Sequence, residues 1–210
     1  MSQMTRGIAL AALALVVCEW RDFQTGRYIF KPIASIAFVA AALFGDGAGT
    51  TYGLLILSAL VLSLIGDVFL IPKSTTAFKA GIVAFALAHI GFLAAFLYRG
   101  IDLRATILAL VPLAFIGVLV ARTLIPRVEQ SLRAPVIGYS IILTLMLSAA
   151  IGTFSQQHSA ALLAAAILFY LSDLCVAQDK FVCEAFINRL FGLPLYYGAQ
   201  LIFAASIAAH

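Results

Sequence analysis

Residues 51–72 read TYGLLILSALVLSLIGDVFLIP. A helix rises about 1.5 Å per residue, so a run of about 20 apolar residues matches a bilayer core of about 30 Å. The apolar positions do not alternate, which argues for a helix over a strand. One ionisable residue interrupts the run, Asp67. Such a side chain costs about 2.5–3.5 kcal/mol in the middle of a membrane helix, so it marks a place to look for chemistry.

The rest of the chain has the same texture. Of its 210 residues 64% are hydrophobic and 10% are charged. Soluble domains hold about 45–50% and about 25% respectively, and a globule this size could not cover its surface with so few charges. Inside lipid every backbone polar group must be satisfied internally, and long continuous runs satisfy it as helices. Spans are expected at 7–20, 28–45, 51–72, 76–98, 105–122, 133–153, 159–178 and 190–208. The fold class is therefore an all-α membrane protein, a bundle of about eight transmembrane helices forming a single domain over 1–210. Arg6 followed by Gly7–Val17 has the outline of a signal peptide. Val16-Val17 suit lipoprotein processing at Cys18 poorly, and a short first helix is the expected reading.

The 13 Lys and Arg form no basic run, so the net charge of +4 does not point to nucleic acid. They are instead distributed unequally between the two ends of the bundle. One end carries Arg21, Arg27, Lys73, Lys79, Arg122, Arg127, Arg133, Lys180 and Arg189; the other carries Arg6, Arg99 and Arg104. Cytoplasmic loops collect bases, so the first end is expected in the cytoplasm and both termini outside it, as in a bacterial inner-membrane protein. Cys18, Cys175 and Cys183 are odd in number and form no CxxC, so they are read as small core residues without a disulfide framework or a zinc site.

Five places carry polar groups into the spans: Lys31 before Pro32, Asp67 in Gly66-Asp67-Val68-Phe69-Leu70, His89 in Ala88-His89-Ile90-Gly91-Phe92, Asp173 in Ser172-Asp173-Leu174-Cys175, and Tyr197 with Gln200 at i and i+3. From the basic end, Asp67 and Asp173 lie at a depth of about 7–8 Å, Tyr197 and Gln200 at about 10–15 Å, and His89 near 20 Å, with Lys31 at the mouth. The helices thus aim their polar groups at one half of the bilayer, with His89 the deepest. A single polar cavity open to the cytoplasmic side is expected.

The halves of the chain also echo each other. Residues 57–70 (LSALVLSLIGDVFL) resemble residues 163–176 (LAAAILFYLSDLCV), each ending in the pattern small-Asp-x-x-apolar. A parallel 4+4 pseudo-repeat would bring Asp67 and Asp173 to facing positions about an axis along the membrane normal.

Lys31-Pro32, Gly66-Asp67-Val68-Phe69-Leu70, Ala88-His89-Ile90-Gly91-Phe92, Ser172-Asp173-Leu174-Cys175-Val176-Ala177 and Tyr196-Tyr197-Gly198-Ala199-Gln200, in this order, resemble the motifs of the YhhN-like lysoplasmalogenase family. The resemblance covers essentially the whole chain. It implies an ether hydrolase that cleaves the vinyl ether of a lysoplasmalogen, releasing a fatty aldehyde and a glycerophospho-base. It implies a lysophospholipid substrate among membrane lipids; no cofactor or protein partner is expected, and the reaction requires no metal. It also implies that Asp67 and Asp173 are catalytic. Lys31, His89, Tyr197 and Gln200 are expected to bind substrate.

The chemistry suits paired carboxyls. Protonation of the outer vinyl carbon gives an oxocarbenium ion, water adds, and the hemiacetal collapses to the aldehyde. One protonated carboxyl and one carboxylate serve those steps, and two like groups in an apolar cavity divide into those states. If the helices pack in chain order, Asp67 sits beside Lys31 as the carboxylate and Asp173 is the acid. No GxSxG elbow is present. The competing readings are a proton-coupled carrier, which also uses intramembrane carboxylates, and a lipid-binding membrane protein without turnover.

Overall fold

The computed structural model describes residues 14–21, 23–72 and 74–208. Residues 14–20 are helical (α1). They are followed by α2 (Gln24–Leu43), α3 (Thr51–Phe69), α4 (Thr75–Arg99), α5 (Leu103–Leu124), a 3-10 turn (Ile125–Arg127), α6 (Gln130–Gln157), α7 (Ala160–Phe181) and α8 (Phe186–Ala208). No strand occurs among the described residues, and seven of the helices are long and apolar enough to cross a membrane. Residues 7–13 of the first expected span, with Arg6 and Lys73 of the charge count, lie outside the described residues.

Local chemistry sets several helix ends. The hydroxyls of Thr50 and Ser74 accept from the backbone N–H of Gly53 and Ala77, and the Asp102 carboxylate accepts from Ala105. Each N-cap satisfies a donor that the first turn leaves open. Gly100 ends α4 at φ 95°, a conformation side chains rarely adopt.

The helices do not follow one another round a ring in chain order. α2 packs on α3, α3 on α4, α4 on α6, α6 on α7, α7 on α8, and α8 closes back onto α2. α5 is left outside against α6, and Leu124 is its one buried residue. Most of its other side chains, all but a few of them apolar, are exposed to what would be lipid, and Leu113 packs on the core. The packing order repeats after four helices: α2–α3–α4 corresponds to α6–α7–α8, and the contacts α4–α6 and α8–α2 join the halves.

Between helices in lipid, close van der Waals packing replaces the hydrophobic drive, and small residues permit it. Ala59, Ala88, Ala95, Ala165, Ala166 and Ala199 are all fully buried. At the α3–α4 seam a Cβ on Gly91 would lie 3.0 Å from that of Ala59, and one on Gly66 would lie 2.6 Å from the Phe85 ring. Gly66 therefore lets α4 approach α3 directly beside Asp67.

Candidate active site

A cavity of about 700 Å³ opens at the end of the bundle where α1–α2, α3–α4, α5–α6 and α7–α8 are joined. That is the end rich in Lys and Arg. Its volume falls in the range of small-molecule sites, about 300–1,000 Å³. Asp67 and Asp173 both line it, as do Lys31, Tyr139 and Tyr196. Leu70, Ile82, Leu124 and Leu143 give it apolar walls.

Asp67 is buried and surrounded by donors. Lys31 Nζ lies 3.3 Å from its Oδ1. The hydroxyls of Ser35 and Tyr196 each donate to Oδ2 at 2.6 Å. Burial opposes a charge at this position; an ammonium and two hydroxyl donors offset that cost. Lys31 and Ser35 are one turn apart on α2, so a single helix face delivers both.

Asp173 has a different environment. Tyr139 of α6 donates to its Oδ2 at 2.7 Å, and His89 Nε2 of α4 lies 3.3 Å from the same oxygen. Among the described residues no lysine or arginine pairs with it. Each aspartate is thus met from the helix before it, Asp67 by Lys31 and Ser35 of α2 and Asp173 by Tyr139 of α6. Each also receives a group from the last helix of the opposite half, α8 or α4. The 4+4 echo in the sequence is visible here as crossed bonding.

An aromatic layer closes the cavity floor and connects the two carboxyls. The His89 ring stacks edge-on against Phe169 with centroids 4.6 Å apart, and Phe169 meets Tyr196 at 5.4 Å. Phe85 packs against both Phe169 and Tyr196.

Lys31 reaches the lining, while His89, Tyr197 and Gln200 lie beneath it. His89 and Gln200 are fully buried, and Tyr197 is 2% exposed. The Tyr197 hydroxyl lies 3.5 Å from the Lys31 carbonyl, which it donates to, and its ring packs on Phe38. Among the described residues no well-formed hydrogen bond reaches the Gln200 amide, which lies beside Tyr196. Sequence reasoning missed Ser35, Tyr139 and Tyr196. A hydroxyl one turn from Lys31 was a signal for Ser35. Tyr196 could have been found as the i, i+4 partner of Gln200.

At the mouth, Glu19 of α1 pairs with Arg27 at 3.0 Å and Arg189 at 3.3 Å, and Arg189 also pairs with Asp179 at 3.1 Å and Glu184 at 2.6 Å. This network ties α1, α2, α7 and α8 together around the entrance. Cys18 is buried, as expected of a core residue, whereas Cys175 is half-buried and lines the cavity and Cys183 is exposed. No group of His, Cys, Asp and Glu with metal-binding geometry occurs among the described residues.

The model of the YhhN family matches residues 26–207, a stretch that holds both aspartates and all their partners. The chain belongs to the YhhN family. Relatives include a protein named lysoplasmalogenase TMEM86B from Mus musculus, 32% identical over 84% of this chain and 72% of its own. The TMEM86B relative from Rattus norvegicus is 32% identical over 78% of this chain and 66% of its own. Lysoplasmalogenase TMEM86A from Bos taurus is 31% identical over 70% and 62%. The chain thus spans about two thirds of the length of these relatives. No solved structure matches it.

Proposed function

We propose that this protein is a membrane-embedded hydrolase that cleaves the vinyl ether bond of lysoplasmalogens, giving a fatty aldehyde and a glycerophospho-base. One observation carries the mechanism: two carboxyls line one cavity in unlike surroundings, Asp67 among three donors and Asp173 beside a tyrosine and a histidine. The names of the relatives supply the substrate class. Asp173 protonates the outer vinyl carbon. The Asp67 carboxylate stabilises the oxocarbenium ion and orients the water that attacks it. Lys31, 16% exposed, holds Asp67 on one side and meets the substrate phosphate on the other. His89, Tyr197 and Gln200 support the substrate from below, through the cavity floor.

The test is mass spectrometry of the purified protein incubated with 1-alkenyl lysophospholipids. Release of the fatty aldehyde with a matching glycerophospho-base is expected, and intact substrate would overturn the reading.

In this proposal the cavity opens to the cytoplasm of a bacterial inner membrane, supported by the nine Lys and Arg at its end against three at the other. A C-terminal fusion should then be active as an exported phosphatase and dark as a cytoplasmic fluorophore. The reverse pattern would put the cavity, and its substrate, in the outer leaflet.

A further inference from the structure

His89 is fully buried, and its two ring nitrogens are constrained in different ways. Nδ1 lies 2.6 Å from the carbonyl oxygen of Phe85, one turn earlier in α4. A carbonyl oxygen can only accept, so Nδ1 carries a hydrogen and the tautomer is fixed. Nε2 then lies 3.3 Å from Asp173 Oδ2 and, among the described residues, makes no formed hydrogen bond. A bare nitrogen lone pair against a bare carboxylate would set two acceptors together in a buried place. A single proton between them removes the conflict. The ring cannot turn away, because Phe169 and Tyr139 hold it edge-on with centroids at 4.6 and 5.2 Å.

We propose that His89 and Asp173 share one proton, and that His89 is the positioning residue that keeps the acid of the reaction loaded. This rests on the reading of Asp173 as the acid in vinyl ether hydrolysis. The proton balance closes within the pair. The shared proton leaves Asp173 as a C–H bond forms at the outer vinyl carbon, and the ether oxygen lone pair forms the C=O bond of the oxocarbenium ion. Tyr139 remains as the hydroxyl donor on Oδ2. Water then adds to the cation, its proton returns to Asp173, and the pair is reloaded without any further acid or base. The other titratable groups near the pair are Tyr139 on α6 and Tyr170 and Cys175 on α7, with the Lys31–Asp67 pair elsewhere on the cavity lining. Lys180, two turns further along α7, lines the same cavity, but among the described residues it forms no pair with Asp173, so His89 is the group placed to hold the proton when Asp173 does not.

The full chain labelled with ¹⁵N-histidine in lipid nanodiscs reads the sharing without substrate, and loss of one set of signals in His89→Gln assigns the ring. The Nδ1 signal should be that of a protonated nitrogen throughout, and the Nε2 signal should move in Asp173→Asn. An Nε2 signal unchanged in Asp173→Asn overturns the shared proton. In turnover, His89→Gln should lose about 10²-fold or more in kcat, because an amide can donate to Asp173 yet holds no exchangeable acid proton. Added imidazole should restore part of the rate of His89→Ala, and pyrazole, of the same shape and far less basic, should not. A well-inserted His89→Gln with the parental rate and pH profile overturns the role in loading the acid. If the parent protein releases no aldehyde, the hydrolase reading falls, and the histidine signals still decide the shared proton.

Discussion

Asp173→Asn and Asp67→Asn are each expected to reduce aldehyde release by about 10²–10⁴-fold, the usual contribution of a general acid or base, while the protein still inserts. The two replacements test different things. Tyr139 and His89 meet the same oxygen of Asp173, so an asparagine at 173 can set its NH₂ there, donate to both His89 Nε2 and the Tyr139 hydroxyl oxygen, and keep both contacts. Only the transferable proton is lost, which makes this the cleaner variant. At 67 the amide oxygen can still accept from Ser35 and Tyr196, but the NH₂ is turned toward the Lys31 ammonium. Loss of rate there comes with some loss of order. Single-turnover assays on detergent-purified protein separate the two cases. A near-parental rate in a well-inserted Asp173→Asn would falsify the two-carboxylate mechanism.

Lys31→Met should have the second largest effect, on stability and turnover together. Lys31 and Asp67 are 16% and 3% exposed at their side chains, and removal of one partner from a buried pair costs about 3–5 kcal/mol. Asp67 would then either keep an unpaired charge or take up a proton. A buried unpaired charge favours uptake of the proton, and the carboxylate that stabilises the cation is then lost, so kcat should fall more than KM rises. The double variant Lys31→Met with Asp67→Asn removes both charges and should recover most of the stability but none of the turnover. Thermal unfolding in detergent reads the first comparison and aldehyde release the second. A single variant with parental stability would show that Lys31 does not hold Asp67. A raised KM with unchanged kcat would assign Lys31 to the substrate phosphate alone.

Much of the architecture was legible in the chain because lipid imposes one strong rule. Backbone groups must be satisfied within each span, so continuous apolar runs become helices, and the expected boundaries fall within a few residues of those observed: 51–72 against Thr51–Phe69, and 76–98 against Thr75–Arg99. The cost of burying ionisable groups likewise made Lys31, Asp67, His89 and Asp173 conspicuous. The rise per residue placed the two aspartates at one level below the basic end, and the cavity that Lys31, Asp67 and Asp173 line opens at that end.

Rotation and lateral order were not legible. Neighbouring residues on a helix point about 100° apart, and Gln200 is on one face with Tyr197 at i+3 and with Tyr196 at i+4. The sequence favours neither. Packing of α8 against α2 and α3 turns Tyr196 onto Asp67 and leaves Tyr197 against Phe38. Chain order also suggested a ring in which each helix touches the next. α5, whose one buried residue is Leu124, is displaced to the outside, so α4 meets α6 instead. That displacement brings His89 and Tyr139 to Asp173. The sequence by itself thus determined the solvent, the helices and the depth of each charged group, because these depend on transfer energies and a fixed rise. Which groups bond to which aspartate was decided by the tertiary structure, because helix rotation and neighbour choice depend on how small and large side chains fit across the seams.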